Sequence, residues 1–207
     1  MMRRKKISVF RILFGLCVMC LVIGLSIEGG YAVRKVFDRR NQLKLMAAYE
    51  ERLARLEASS GMDHHYAGAT VREKYVTGDT LAILSLERLG IKVAVTEGTE
   101  KETLRISAGH FNGDLPGEGN FAVAGHSSRV YTCLFNDMHK AVVGDEINVL
   151  SSDGKRTYIV SDISIVEPTE VSVVQHENES VLTIVTCVNN GKQRLIIRGI
   201  EAGNTDY

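Results

Sequence analysis

Beyond Thr80 the chain is cut into short apolar runs, and this pattern limits the fold more than any other feature of the sequence. Leu81–Leu84, Ile91–Val95, Phe121–Ala124, Glu146–Leu150, Arg156–Val166, Val181–Val185 and Arg194–Arg198 are rich in Val, Ile and Leu or alternate apolar with polar residues. Several short runs of this kind at this spacing suit strands. Gly90, Gly98, Gly144, Asp153-Gly154 and Asn190-Gly191 separate them, and the last two dipeptides are strong hairpin turns. The spacing predicts an all-β sandwich or barrel, with helix confined to about Lys101–Arg105 and a turn near Leu134–His139. About 130 residues suffice for one closed core.

The N-terminal third reads differently. Arg3-Arg4-Lys5-Lys6 precedes an apolar stretch from Ile7 to Ile27, interrupted by Ser8, Arg11 and Ser26. Roughly 20 apolar residues span a bilayer, so this stretch is long enough if Arg11 snorkels to the basic end. Glu28-Gly29-Gly30 offers only a weak signal-peptidase exit, which favours a retained anchor. The tight basic cluster at the start keeps the N-terminus inside, although Arg34, Lys35, Arg39 and Arg40 weaken the asymmetry. Apolar residues at Val36, Leu43, Met46, Tyr49, Leu53 and Leu56 predict a solvated juxtamembrane stalk helix over 36–58, ended by Ser59-Ser60-Gly61. His64 and His65 fall in the polar linker that follows. The expected organisation is a basic tail over 1–6, a membrane anchor over 7–27, a helix and linker over 28–79, and a β domain over 80–207.

Lys+Arg and Asp+Glu are both 25, so the formal net charge is zero and no basic excess exists to bind nucleic acid. No phosphate-cradling glycine motif occurs. Of the four cysteines, Cys17 and Cys20 lie in the apolar stretch, where they read as small apolar side chains rather than metal ligands. Cys133 reads as a packed residue. A bridge between Cys133 and Cys187 would consume a thiol better placed for chemistry.

Cys187 stands at the end of the strand Thr183-Ile184-Val185-Thr186, where rigid backbone opens to solvent. His126 ends another apolar strand, in Ala124-Gly125-His126. Arg194 opens the strand after the Asn190-Gly191 turn, so a hairpin brings it near Cys187. Thiol chemistry uses the thiolate, an imidazole beside it serves as base and acid, and a guanidinium holds a developing oxyanion. His110 in Ala108-Gly109-His110 and Arg198 compete for these places. His126 is preferred because a strand ends at it, and Arg194 because it lies nearest the cysteine loop. Taken singly, each residue also fits a bland role: a buried small residue, a structural histidine, a solvated arginine.

The string Thr183-Ile184-Val185-Thr186-Cys187 resembles the T-L-x-T-C signature of sortases, with Ile184 in the Leu position. Gly119–His126 resembles that family's strand ending in Gly-His, Gln193–Gly199 its Arg-bearing last strand, and Leu89–Gly98 its early strands. The order His, Cys, Arg agrees, and the resemblance spans about 80–207. It implies a closed β-barrel of about eight strands with short helices behind an N-terminal transmembrane helix. It implies a cysteine transpeptidase with His126, Cys187 and Arg194 as catalytic residues. Ala124, Val185, Thr186 and the loop 167–180 would then border the substrate groove. The implied substrates are secreted surface proteins bearing an LPxTG-like C-terminal sorting signal, and the acceptor is a cell-wall precursor amine, with no cofactor. Glu167, Glu170, Glu177 and Glu179 match no calcium-loop spacing, so no metal is expected. Lacking a convincing lid, the sequence sits closest to the class D, protein-anchoring type. The rivals are a pilin-polymerising sortase, a non-catalytic peptide-binding surface domain, and an L,D-transpeptidase, whose S-x-G-C is missing here.

Overall fold

In a computed structural model, residues 9–60, 75–111, 113–127 and 134–203 are described. The basic tail, His64, His65 and Cys133 lie outside them. Helix α1 runs unbroken over Val9–Ser60, 52 residues. The eight strands are β1 (Thr80–Leu86), β2 (Ile91–Glu97), β3 (Ala108–His110), β4 (Asn120–Gly125), β5 (Glu146–Ser151), β6 (Gly154–Val166), β7 (Val181–Val188) and β8 (Gln193–Glu201). A short helix α2 (Lys101–Ile106) sits between β2 and β3. The strands close a barrel in the order β1-β2-β3-β4-β7-β8-β6-β5, with β5 returning to β1. This is the all-β barrel that the strand pattern and the resemblance anticipate.

Alternation divides each strand between an inner and an outer face. Phe121 and Val123 of β4, Leu182 and Ile184 of β7, and Leu195 and Ile197 of β8 point into the main core with Tyr158 and Val160 of β6. The β5–β6 and β7–β8 connections are the two antiparallel hairpins read from Asp153-Gly154 and Asn190-Gly191. Two pairings, β2 with β3 and β4 with β7, are parallel. Strand β3 has no counterpart in the runs read from the sequence. It is three residues long, and Gly109 supplies its close approach: a Cβ there would lie 2.3 Å from the Gly98 carbonyl oxygen.

The chain forms two compact units, residues 1–37 and 38–207. In the first, α1 carries a window long and apolar enough to cross a membrane, and side chains such as Leu13, Phe14, Leu21 and Leu25 are exposed. In the second, α1 departs from the expected solvated stalk. Met46, Tyr49 and Leu53 pack on Ile83 and Ala94, forming a second apolar cluster on the outer face of β1 and β2. Burying each such side chain contributes about 1.5–3 kcal/mol. Polar ties fix the register of this contact. Tyr49 donates its hydroxyl to the Leu81 carbonyl, Gln42 donates to Lys92 O at 3.3 Å, and Lys92 pairs with Glu50 at 2.9 Å. Asp38, fully buried, receives Arg105 of α2 at 2.9 Å.

Candidate active site

Strands β4, β7 and β8 are neighbours, with β7 in the middle. Because the inner positions are occupied by core residues, the alternate positions project outward. In the antiparallel β7–β8 ladder Cys187 stands opposite Arg194, Val185 opposite Ile196 and Thr183 opposite Arg198. Directly opposed residues share a face, so Cys187 and Arg194 both project from the barrel's outer side. In the parallel β4–β7 ladder Ala124 pairs with Val185 and Gly125 with Thr186. The ladder stops there; His126 follows Gly125 and Cys187 follows Thr186, and both line the same cleft. His126 and Cys187, far apart in sequence, thus come to one cleft, and Arg194 stands opposite Cys187 on the next strand.

This cleft has a volume of about 1010 Å³. His126, Thr186, Cys187, Asn136 and His139 line it together with the β7–β8 turn. Arg194 stands opposite Cys187 in the ladder but does not itself line this cleft. Its Nη1 donates to Gly191 O at 2.9 Å and Gln193 O at 3.2 Å, which holds the guanidinium at the mouth of the hairpin. The turn itself places Asn189 and Asn190 at φ +51° and +57°, left-handed backbone that Asn tolerates better than most residues.

Local contacts brace these strand ends. Thr186 Oγ1 donates to Gly125 O at 2.8 Å, so its hydroxyl proton is committed to the β4–β7 seam. Ser127 Oγ donates to the Cys187 carbonyl. Phe135 N donates to His126 O at 3.2 Å. Gly125 is required by the aromatic ring beside it, since a Cβ would lie 2.1 Å from Phe135 Cδ2. Partial burial pushes the His126 imidazole below its usual value of 6.5, because desolvation disfavours the cation.

The remaining sequence candidates separate clearly. Ala124 and Val185 are neighbours across the seam, half-buried and facing outward. His110 is only 2% exposed. Its Nδ1 meets Glu97 Oε2 at 2.7 Å, its Nε2 meets Asp114 O at 3.0 Å, and its ring stacks on Phe121 with centroids 5.1 Å apart. It is a satisfied core histidine away from the cleft. Arg198 pairs with Glu177 at 2.7 Å and so tethers the 167–180 loop. Asn120 Nδ2 adds bonds to Val173 O at 3.0 Å and Gln175 O at 2.9 Å, so that loop overlies the outward face at the far end of β4 from His126. Cys17, Cys20 and Cys187 are free thiols. Ser127, Phe135, Asn136 and His139 were not singled out from the sequence. Their place at the cleft depends on the β4–β7 pairing, which no local motif announces.

The sortase-domain family profile matches residues 84–202, more than half of the chain. The chain belongs to the sortase family. Sortases are cysteine transpeptidases, and this one is similar over most of its length to characterised relatives. It is 26% identical to sortase A of Bacillus anthracis over 186 residues, 86% of this chain and 87% of that protein. It is 30% identical to sortase D of Bacillus subtilis (strain 168) over 132 residues, 59% of this chain and 64% of that protein. Among solved structures, the sortase D5 transpeptidase of Clostridium perfringens superimposes with a TM-score of 0.67 at 28% identity, covering 79% of this sortase and 99% of that chain. Class D relatives are therefore among its neighbours in both sequence and structure.

Proposed function

We propose that this sortase is a single-pass membrane enzyme that cleaves an LPxTG-like sorting signal and joins the cleaved protein to a cell-wall amine, with Cys187, His126 and Arg194 as its catalytic residues. The observation that carries this reading is that His126 and Cys187 line one cleft, and that Arg194 stands opposite Cys187 across the β7–β8 ladder.

The chemistry follows from that arrangement. With its proton affinity lowered by burial, His126 is mostly neutral near neutral pH and is available as a base. It takes the Cys187 thiol proton as the sulfur attacks the Thr carbonyl of the signal. Arg194 stabilises the charge that develops on the carbonyl oxygen. The imidazolium then returns its proton to the departing amine of the Gly fragment, leaving a thioacyl-enzyme. The acceptor amine attacks that thioester, His126 removes the amine's proton, and Cys187 departs as thiol once reprotonated. Ala124, Val185 and the 167–180 loop border the path for the signal, while Thr186 braces the strand beneath it. The apolar window of α1 and the basic start of the chain support an anchor with the barrel on the outer side of the membrane.

Mass spectrometry of the protein incubated with candidate sorting peptides tests the reading. A thioacyl adduct on Cys187 is expected, absent from Cys187→Ala. Peptide cleavage that persists in Cys187→Ala would refute it.

A further inference from the structure

The β4–β7 backbone ladder ends at Gly125 and Thr186, one residue short of His126 and Cys187. The backbone carbonyl of His126 turns away from β7 and accepts from Phe135 N at 3.2 Å. Two side-chain hydroxyls continue the seam where the ladder stops, one from each strand. Thr186 Oγ1 of β7 donates to Gly125 O, the residue before His126, at 2.8 Å. Ser127 Oγ, the residue after His126, donates to the carbonyl of Cys187. The backbone of His126 is therefore tied to β7 on both sides, and the second tie ends on the residue that carries the sulfur.

We propose that Ser127 is a positioning residue, whose hydroxyl holds His126 within reach of Cys187 by bridging to the Cys187 carbonyl. The bond also restrains the Cys187–Val188 peptide plane and hence the direction of Cβ and Sγ. The inference rests on the catalytic roles proposed above for the histidine and cysteine. Ser127 itself touches no reacting atom. Its effect is geometric, and displacing a catalytic group by about 1 Å costs on the order of 100-fold in rate.

The test compares Ser127→Thr with Ser127→Val in the full-length protein in detergent. The two side chains have the same shape, and only Thr keeps the hydroxyl. The first readout needs no substrate: the pH profile of Cys187 alkylation by iodoacetamide, followed on the Cys187 peptide by mass spectrometry. The inflection contributed by the His126 imidazole is expected in the wild type and in Ser127→Thr, and is lost in Ser127→Val. The second readout is turnover of an LPxTG-containing peptide, where Ser127→Val is expected to lower kcat by about 10- to 100-fold with KM unchanged, and Ser127→Thr to restore it. Equal alkylation profiles and equal kcat in the Thr and Val variants would overturn the proposal, even with a lower melting temperature in Val. A wild-type protein that forms no thioacyl adduct would instead count against the proposed function, and the alkylation comparison would still decide the role of Ser127.

Discussion

At the scale of single residues, the His126 environment makes a prediction whose sign is fixed by burial. The folded protein holds a proton on His126 less tightly than the unfolded chain does. The unfolded state then binds more protons below its own midpoint, so this residue's contribution to stability is present above about pH 6.5 and is lost as pH falls below it. A carbon-detected NMR titration of the ring should give a midpoint below 6.5, and His126→Gln should flatten the fall in melting temperature on acidification through that range. The two arginines of β8 should also part company. Arg194→Lys keeps the charge but loses the planar fork, and it is expected to lower kcat by about 100-fold or more. Arg198→Lys should instead loosen the 167–180 loop through Glu177, raising KM in peptide kinetics with a smaller effect on kcat.

At the scale of elements, the seams between strands carry the argument. Gly109→Ala should destabilise the protein by about 1–3 kcal/mol, measured by denaturant unfolding, because the new methyl meets the Gly98 backbone where β3 packs closest. How much of the site could be read in advance follows the same seams. Cys187 and Arg194 are joined by a short hairpin, and Asn190-Gly191 announces it, so their approach was legible. The preference for His126 over His110 rests on a strand ending at it, but β3 ends at His110 as well, so strand ends alone do not separate the two histidines. His126 and Cys187 come to one cleft through a parallel pairing of residues 61 apart, for which no local code exists, so only the resemblance joins them. Strand β3 was invisible because Ala-Gly-His has neither length nor β-branched residues. The docked part of α1 was misread because periodicity shows that a helix has an apolar stripe and not what the stripe will meet.

At the scale of the whole molecule, residues 38–207 behave as one unit that includes nearly all of the helical stretch assigned by sequence to the stalk. Truncation therefore has two distinct outcomes. A chain starting at Asp38 should fold with the melting temperature of the full barrel. A chain starting after Ser60 leaves Ile83 and Ala94 uncovered and removes the buried partner of Arg105, and its melting temperature should fall by several degrees for each kcal/mol lost. Differential scanning calorimetry of the two truncations decides between a stabilising buttress and a dispensable stalk.

The outward positions of β4, β7 and β8, where the catalytic residues are proposed, and the apolar core occupy opposite sides of the same three strands. Selection can consequently alter what the enzyme accepts by exchanging outward side chains without repacking the interior. The freedom is confined to outward positions such as Ala124 and Val185, because Phe135 and Leu195 serve the core and the cleft at once.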